Sequence, residues 1–144
     1  MQMVFLDTNV IISGTFFSGL EADLLSPANL RLVTADVCQN ELLEVTRRKF
    51  SQFGYETQKV ALKEVKNSLI DVDVIVWNQY SSQLELARNL VTGENDQKVL
   101  AAALHVDPDY FVTGDQDFHQ NDIRKMLPVK STQEVMEELN LFRE

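Results

Sequence analysis

Two aspartates in this 144-residue chain follow short apolar runs that have the length of buried strands. Asp7 comes directly after Val4-Phe5-Leu6, and Asp115 follows the run at residues 110–114. In open α/β sheets, ligands gather outside the carboxyl ends of the strands, so both side chains are candidates for a binding site. Each aspartate alone is equally well explained as a turn or helix-cap residue.

Two further acids fall within predicted helices. Glu41 lies one helical turn from Val37 and from Val45, and Asp96 is followed at i+4 by Leu100. Both patterns predict carboxylates that lean toward the core, where an unpaired charge is strongly unfavourable. Neither helix has an obvious Lys or Arg partner on the same face, so a bound metal ion would compensate the buried negative charge. The competing interpretation is an exposed Glu41 and a first-turn Asp96 that the helix dipole favours.

The chemistry of such a cluster follows from its ligand atoms. Carboxylate oxygens without His or Cys favour Mg²⁺ or Mn²⁺ over zinc. One or two ions in a carboxylate cage can activate water and neutralise a phosphodiester, so no nucleophilic side chain is required. We expect His105, at a helix end, and His119, in a polar turn, to be structural.

A basic segment at residues 46–69 contrasts with the net charge of −9. It contains six Lys or Arg and two Glu residues, which gives +4. The acidic whole argues against a protein that coats nucleic acid non-specifically. The basic segment itself predicts a surface that tracks phosphates, and its candidate substrate-binding residues are Arg47, Arg48, Lys59, Lys63 and Lys66. The competing interpretation is a solvated face with cations at a helix C-terminus.

Length and composition favour one domain over residues 1–144. The chain is 44% hydrophobic, which is enough for one core without disulfides or structural metal. Cys38 is the single cysteine, so no intramolecular disulfide can form and a reducing cytoplasm is expected. No apolar stretch at the N-terminus resembles a signal peptide or a membrane span, so we expect no membrane association.

The acids must be positioned by alternating strands and helices. Apolar runs predict strands at residues 3–6, 30–33, 72–77, 110–113 and 128–130. Helical patterns predict helices at residues 10–17, 56–69, 82–90 and 95–106. Two further helices are predicted: one begins after Thr34 as its N-cap and carries Glu41, and the last one extends through Leu139. Ser131 and Glu134 form a capping box before that last helix. Alternation predicts an α/β fold, a three-layer α/β/α sandwich with a central parallel sheet, of unknown strand order.

Four local motifs together resemble the PIN-domain family. They are FLDTNV at residues 5–10, Glu41-Leu42 on a helix, DQKVLAAA at residues 96–103 and YFVTGDQDF at residues 110–118. They come in the order of the family and span nearly the whole chain. The stretch Gly93-Glu94-Asn95 departs from the pattern, because related sequences often carry further acids there.

The resemblance implies a PIN-like α/β/α sandwich and a metal-dependent nuclease that acts on RNA. Asp7, Glu41, Asp96 and Asp115 match the acidic quartet of the family, and Asp117 matches a fifth, less constant acid. In our hypothesis Asp7, Asp96 and Asp115 hold the metal. Glu41 positions the metal or orients the attacking water, and the products carry a 5′-phosphate and a 3′-hydroxyl. Many small bacterial and archaeal members resembling this chain are toxins of toxin/antitoxin pairs and form homodimers, so an antitoxin protein and a second copy are expected partners.

Two other functions remain open. A first-strand Asp followed by Thr also resembles the nucleophile of aspartyl-phosphate enzymes. Such enzymes usually have a second acid near the nucleophile and a Lys at a strand end. Here the residue two positions after Asp7 is Asn9, and Lys98 falls in a predicted helix. The second alternative is a catalytically idle PIN-like module that binds RNA or a protein. The aromatic residues of the 50–55 loop leave a partner-binding role open.

Overall fold

The computed structural model describes residues 1–26 and 29–141, and in these ranges the strands form one parallel sheet. The strands are β1 (Gln2–Leu6), β2 (Leu30–Ala35), β3 (Val72–Ile75), β4 (Tyr110–Val112) and β5 (Val129–Lys130). Their order across the sheet is β3-β2-β1-β4-β5. The chain therefore builds outward from β1 to β3 on one side, then returns to place β4 and β5 on the other.

That return makes β1 and β4 neighbours, with Leu6 beside Val112 in the register. The reversal of strand order between them opens a crevice at their carboxyl ends, where ligands bind in sheets of this kind. Asp7 and Asp115 both follow these two strands. The strand order, which the sequence left unknown, thus brings the two strand-end acids to the same edge.

Helices cover both faces of the sheet, as predicted. They are α1 (Thr8–Phe16), α2 (Leu20–Leu25), α3 (Asp36–Lys49), α4 (Tyr55–Ser68), α5 (Trp77–Tyr80), α6 (Leu84–Arg88), α7 (Glu94–Val106), α8 (Asn121–Arg124) and α9 (Thr132–Glu138). Short 3₁₀ turns cover Ser81–Gln83 and Gln116–His119. Across the described ranges, no helix is long and apolar enough to cross a membrane.

Two cores flank the sheet because successive residues of a strand point to opposite faces. Val4 and Leu6 of β1 belong to the core that α1 and α9 cover. Phe5 belongs to the opposite core, where it meets Phe111 edge to face at 5.4 Å between ring centroids and α7 contributes a run of buried alanines. The predicted three-layer α/β/α sandwich is therefore confirmed.

The start of α3 differs from the prediction. Thr34 was expected to cap this helix, but it belongs to β2, which continues to Ala35, and Ala35 is the N-cap. The Thr34 side chain is fully buried and donates its hydroxyl to the carbonyl of Leu6 at 2.8 Å. A hydroxyl that joins two central strands is not free to cap a helix.

The end of β3 was also predicted wrongly, since the strand stops at Ile75 rather than Trp77. Asp36 causes the stop: its Oδ2 accepts the Trp77 amide at 2.9 Å, and its Oδ1 accepts the Tyr80 hydroxyl. Trp77 therefore begins α5. The short helices α2 and α8 were not predicted, because neither has more than six residues on which a periodic pattern can be recognised.

Candidate functional site

Asp7 is held rigidly between β1 and α1. It is the N-cap of α1 and only 7% exposed, and its amide donates to the carbonyl of Val112 at 3.1 Å. Its Oδ1 accepts the Thr8 amide at 2.8 Å, while its Oδ2 accepts the Thr113 hydroxyl at 2.7 Å. Each oxygen keeps one further lone pair, so the carboxylate can still bind a ligand.

Asp115 and Asp117 are oriented by the turn that follows β4. The Asp115 amide donates to Thr113 Oγ1 at 3.0 Å, and the Asp117 amide donates to Asp115 Oδ1 at 2.9 Å. Buried Phe118 anchors the turn against Phe111, with ring centroids 5.2 Å apart. Thr113 therefore connects the two strand-end acids of the crevice.

His119 supports the same turn. Its Nε2 lies 2.8 Å from the Thr113 carbonyl, and its Nδ1 lies 2.9 Å from the Arg124 guanidinium. Nε2 is accordingly assigned as the donor and Nδ1 as the acceptor. Both ring nitrogens are occupied, which agrees with the structural role expected for His119. His105 lies exposed in the last turn of α7.

The two helical acids face the same crevice. Oxygen atoms of Asp96, Asp115 and Asp117 all lie within 4.8 Å of one another. Glu41 lies half-buried on α3, and its charge interacts with that of Asp96. Asp117, to which the sequence gave an ancillary place, is thus a full member of the tightest cluster, while Asp7 and Glu41 flank it.

Gly93 makes room for one of these acids. It is the N-cap of α7, and a side-chain carbon at this position would lie 3.3 Å from Oδ2 of Asp96. That approach is tighter than ordinary van der Waals contact, so a larger residue would press on the carboxylate. The absence of a side chain at Gly93 therefore leaves space for the Asp96 carboxylate.

The pKa values of three of these acids are raised by burial and by the charges of the neighbouring acids. The pKa of Asp7 is raised to about 6, chiefly by burial and also by the charges of Glu41 and Asp115, against the lowering effect of its two hydrogen bonds. Burial and the Asp96 charge raise the pKa of Glu41. Burial raises the pKa of Asp96, with added effect from Asp115 and Asp117. Each charge is therefore unfavourable until a cation joins the cluster.

The donor set fits a divalent ion. None of the five acids forms an ion pair within 4 Å in the described part of the chain. The charge of Arg48 lowers the pKa of Glu41, and so does the side chain of Thr8. Within the described residues, the buried Thr8 hydroxyl has no partner that meets hydrogen-bond geometry. A cluster of oxygen donors with uncompensated charge suits Mg²⁺ or Mn²⁺.

The predicted substrate-binding residues separate into two groups. All five are exposed: Arg47 and Arg48 lie in the last turn of α3, and Lys59, Lys63 and Lys66 lie on α4. Arg48 acts electrostatically on Glu41. No hydrogen bond or ion pair joins the three lysines to the acids within the described ranges.

Sequence reasoning missed two features of the site. Thr113 was noted only as part of a turn motif, although its place directly before Gly-Asp at a strand end was a usable signal. A cavity of about 280 Å³ beside Glu41 was not foreseen at all. It lies between α3, α5 and α7, and no local pattern reveals which helices pack together.

Comparison with known proteins supplies the relatives of the chain. A family model described as PIN domain matches residues 3–117. The VapBC-1 structure from nontypeable Haemophilus influenzae is 22% identical with a TM-score of 0.67, covering 91% of this chain and 98% of that one. The VapBC2 structure from Rickettsia felis, bound to a DNA fragment from their promoter, is 14% identical with a TM-score of 0.62, covering 90% and 98%. No curated protein matches the chain.

Proposed function

Because this chain belongs to the PIN-domain family, we propose that it is a Mg²⁺- or Mn²⁺-dependent endoribonuclease, acting as a single domain. One observation carries the proposal. The carboxylates of Asp96, Asp115 and Asp117 converge within 4.8 Å at the crevice where Asp7 also lies, and no cationic side chain pairs with them in the described residues. Such an arrangement is electrostatically unfavourable unless it binds a cation.

Each residue has a distinct task in the proposed reaction. Asp96, Asp115 and Asp117 offer oxygen ligands, and Asp7, oriented by Thr113, completes the set. These carboxylates would hold a divalent ion, which would supply positive charge to neutralise the phosphodiester and would lower the pKa of water. Glu41, whose pKa is raised by burial, orients the attacking water and accepts its proton. The water oxygen bonds to phosphorus and the bond to the 3′ oxygen breaks; the departing 3′ oxygen takes a proton from solvent, which leaves a 5′-phosphate and a 3′-hydroxyl.

The biological setting follows from the relatives. The two solved structures described above are VapBC structures, and we propose that this chain is the toxin of a comparable toxin/antitoxin pair, working in the cytoplasm as a homodimer. An exposed aromatic cluster supports a protein partner. Phe50 packs against Phe16 and Phe53 at 5.4 and 5.8 Å between ring centroids, and Phe17, Phe53 and Tyr55 are exposed. Exposed apolar patches of this kind mark interaction surfaces.

The experiment is cleavage of a mixed single-stranded RNA by the purified protein with Mg²⁺, Mn²⁺ or EDTA. The Asp7→Asn variant is run in parallel to exclude a contaminating nuclease. We expect metal-dependent cleavage that leaves 5′-phosphate ends and falls by at least about a hundredfold in the variant, since Asp7 would help to hold the cation that stabilises the negative charge of the transition state. Circular dichroism establishes that the variant is folded.

The same experiment distinguishes the alternative of a catalytically idle module. Bound Mn²⁺, measured by calorimetry, without cleavage of any RNA would favour a binding protein whose site is idle. Cleavage at equal rates by wild type and folded Asp7→Asn would refute the proposed active site.

A further inference from the structure

A cavity of about 280 Å³ opens beside Glu41, between α3, α5 and α7. Its walls carry Trp77, Asn40, Asn95 and Lys98 in addition to acidic residues. The volume is at the low end for small-molecule sites and suits a fragment the size of a nucleobase. Because Glu41 belongs both to the cavity and to the acidic site, a base that fills the cavity would lie only a short distance along the RNA chain from the phosphate that is cut.

The aromatic wall is fixed in orientation. Trp77 meets Tyr80 at 90° with ring centroids 5.4 Å apart, and the Tyr80 hydroxyl is held by Asp36, which also caps α5 at Trp77. Tyr80 is buried, whereas 38% of Trp77 is exposed. A rigid and partly open indole is the platform on which bases stack in single-stranded nucleic-acid sites.

Polar groups around the indole match the remaining parts of a nucleotide. Asn40 and Asn95 are exposed, and each amide offers a donor and an acceptor, the pair of groups that reads the edge of a base. The Lys98 ammonium lies over the Trp77 ring, 5.7 Å from its centroid, so a base that stacks on this face would displace the ammonium toward an adjoining phosphate. Its partner Glu94 is 3.9 Å away and 86% exposed, so the pair is weak and the lysine is available.

We propose that this cavity is a nucleobase subsite, in which Trp77 stacks on one unpaired base of the RNA and Asn40 and Asn95 determine which base is accepted. The inference rests on the proposed nuclease function for its biological meaning. It commits the substrate to a single-stranded or unpaired segment, since a base within a duplex cannot reach the indole. It also makes Trp77 a binding residue that is separate from the metal ligands.

The fluorescence of Trp77 tests the proposal directly, because the 144 residues contain no other tryptophan. Adenosine, guanosine, cytidine and uridine are titrated into the protein in EDTA, with ribose as the control without a base. Uncharged nucleosides avoid repulsion by the acidic cluster and need neither metal nor nuclease activity. We expect saturable quenching by at least one nucleoside and none by ribose. Equal effects of ribose, or no quenching by any nucleoside, would overturn the subsite whether or not the protein cleaves RNA.

Variants test the assignment of each wall. The affinity for a short labelled RNA, measured by anisotropy in EDTA, should fall by at least about fivefold in Trp77→Ala and stay near wild type in Trp77→Phe, which keeps an aromatic face. Asn95→Ala should change the order of base preference. Asn78→Ala, on the same helix but outside the cavity, is the matched control. If Trp77→Ala binds every RNA as wild type does, the cavity is not the subsite, and the proposed active site is untouched by that result.

Discussion

The hydroxyl of Thr113 donates a hydrogen bond to Oδ2 of Asp7 at 2.7 Å, across 106 residues of sequence. The same Thr113 oxygen accepts the Asp115 amide at 3.0 Å. One threonine at the end of β4 therefore fixes the carboxylate that follows β1 and the backbone that carries Asp115. The acidic site depends on this hydroxyl although it contributes no charge.

Thr113→Val removes the hydroxyl at nearly constant volume, so the first prediction isolates the hydrogen bond. The free energy of unfolding should fall by about 1–3 kcal/mol, because Asp7 loses a buried donor. The hydrogen bond from Thr113 lowers the pKa of Asp7, so its removal should raise that pKa and shift the acidic limb of the pH–activity profile upward. Urea unfolding and pH–rate profiles measure the two effects.

Thr113→Ser keeps the hydroxyl and is the matched control for that variant. It should retain the wild-type pH profile. An unshifted profile in folded Thr113→Val would contradict the role assigned to this hydrogen bond.

Asp7→Asn should stabilise the metal-free protein near neutral pH. Burial raises the pKa of Asp7 from 3.8 to about 6 in the folded state. The stability that a raised pKa contributes is present below pH 3.8 and is lost as the pH rises through about 6. At pH 8 the charged carboxylate therefore opposes folding by up to about 3 kcal/mol, and the asparagine variant escapes this penalty.

Urea unfolding in EDTA at pH 8 and pH 4 measures that difference. The advantage of Asp7→Asn should be present at pH 8 and small at pH 4. The exposed Asp122→Asn removes one negative charge away from the site and controls for net charge. A variant that is less stable than wild type at pH 8 would show that the hydrogen bonds of Asp7 outweigh its desolvation.

The sequence predicted the parts of the fold that depend on local pattern. Asp7 and Asp115 were identified because each follows an apolar run, and the capping box formed: the Glu134 amide donates to Ser131 Oγ at 3.2 Å, and the Ser131 amide to Glu134 Oε1 at 3.0 Å. Thr34 was misassigned because a threonine before an acid resembles an N-cap, and only the tertiary fold shows that its hydroxyl bonds to a neighbouring strand.

The candidate site shows the same division. The four acids of the quartet were chosen from local settings that a single sequence displays. The sequence gave Asp117 only an ancillary place, because its position in the cluster depends on the 3₁₀ turn that brings its carboxylate toward Asp96. Trp77 was assigned to a strand, since the contact that ends β3 comes from Asp36, which lies 41 residues away. Long-range contacts of this kind leave no periodic signal.

Asp117→Asn tests the place that the geometry gives to the fifth acid. We expect Mn²⁺ affinity to fall by at least about tenfold, as in Asp115→Asn, because the number of charged oxygen ligands sets the affinity of such sites. Isothermal titration calorimetry measures the binding. Glu94→Gln, an 86% exposed acid in the first turn of α7, removes the same charge without removing a clustered ligand and should bind nearly as wild type does. Wild-type Mn²⁺ affinity in Asp117→Asn would show that Asp117 contributes little to metal binding.

The last prediction concerns the path of the RNA away from the metal site. Arg48 acts on Glu41 through its charge, whereas no ion pair joins the α4 lysines to the acids in the described residues. Arg48→Gln should therefore weaken RNA binding and reduce the slope of log affinity against log salt by about 0.7, the value for one phosphate contact on a single strand. Lys66→Gln removes an equal charge from α4 and should have a smaller effect. Binding is measured by anisotropy over a salt series in EDTA. If the combined substitution of Lys59, Lys63 and Lys66 by Gln reduces the salt slope and Arg48→Gln does not, the RNA leaves the site across α4 rather than along α3.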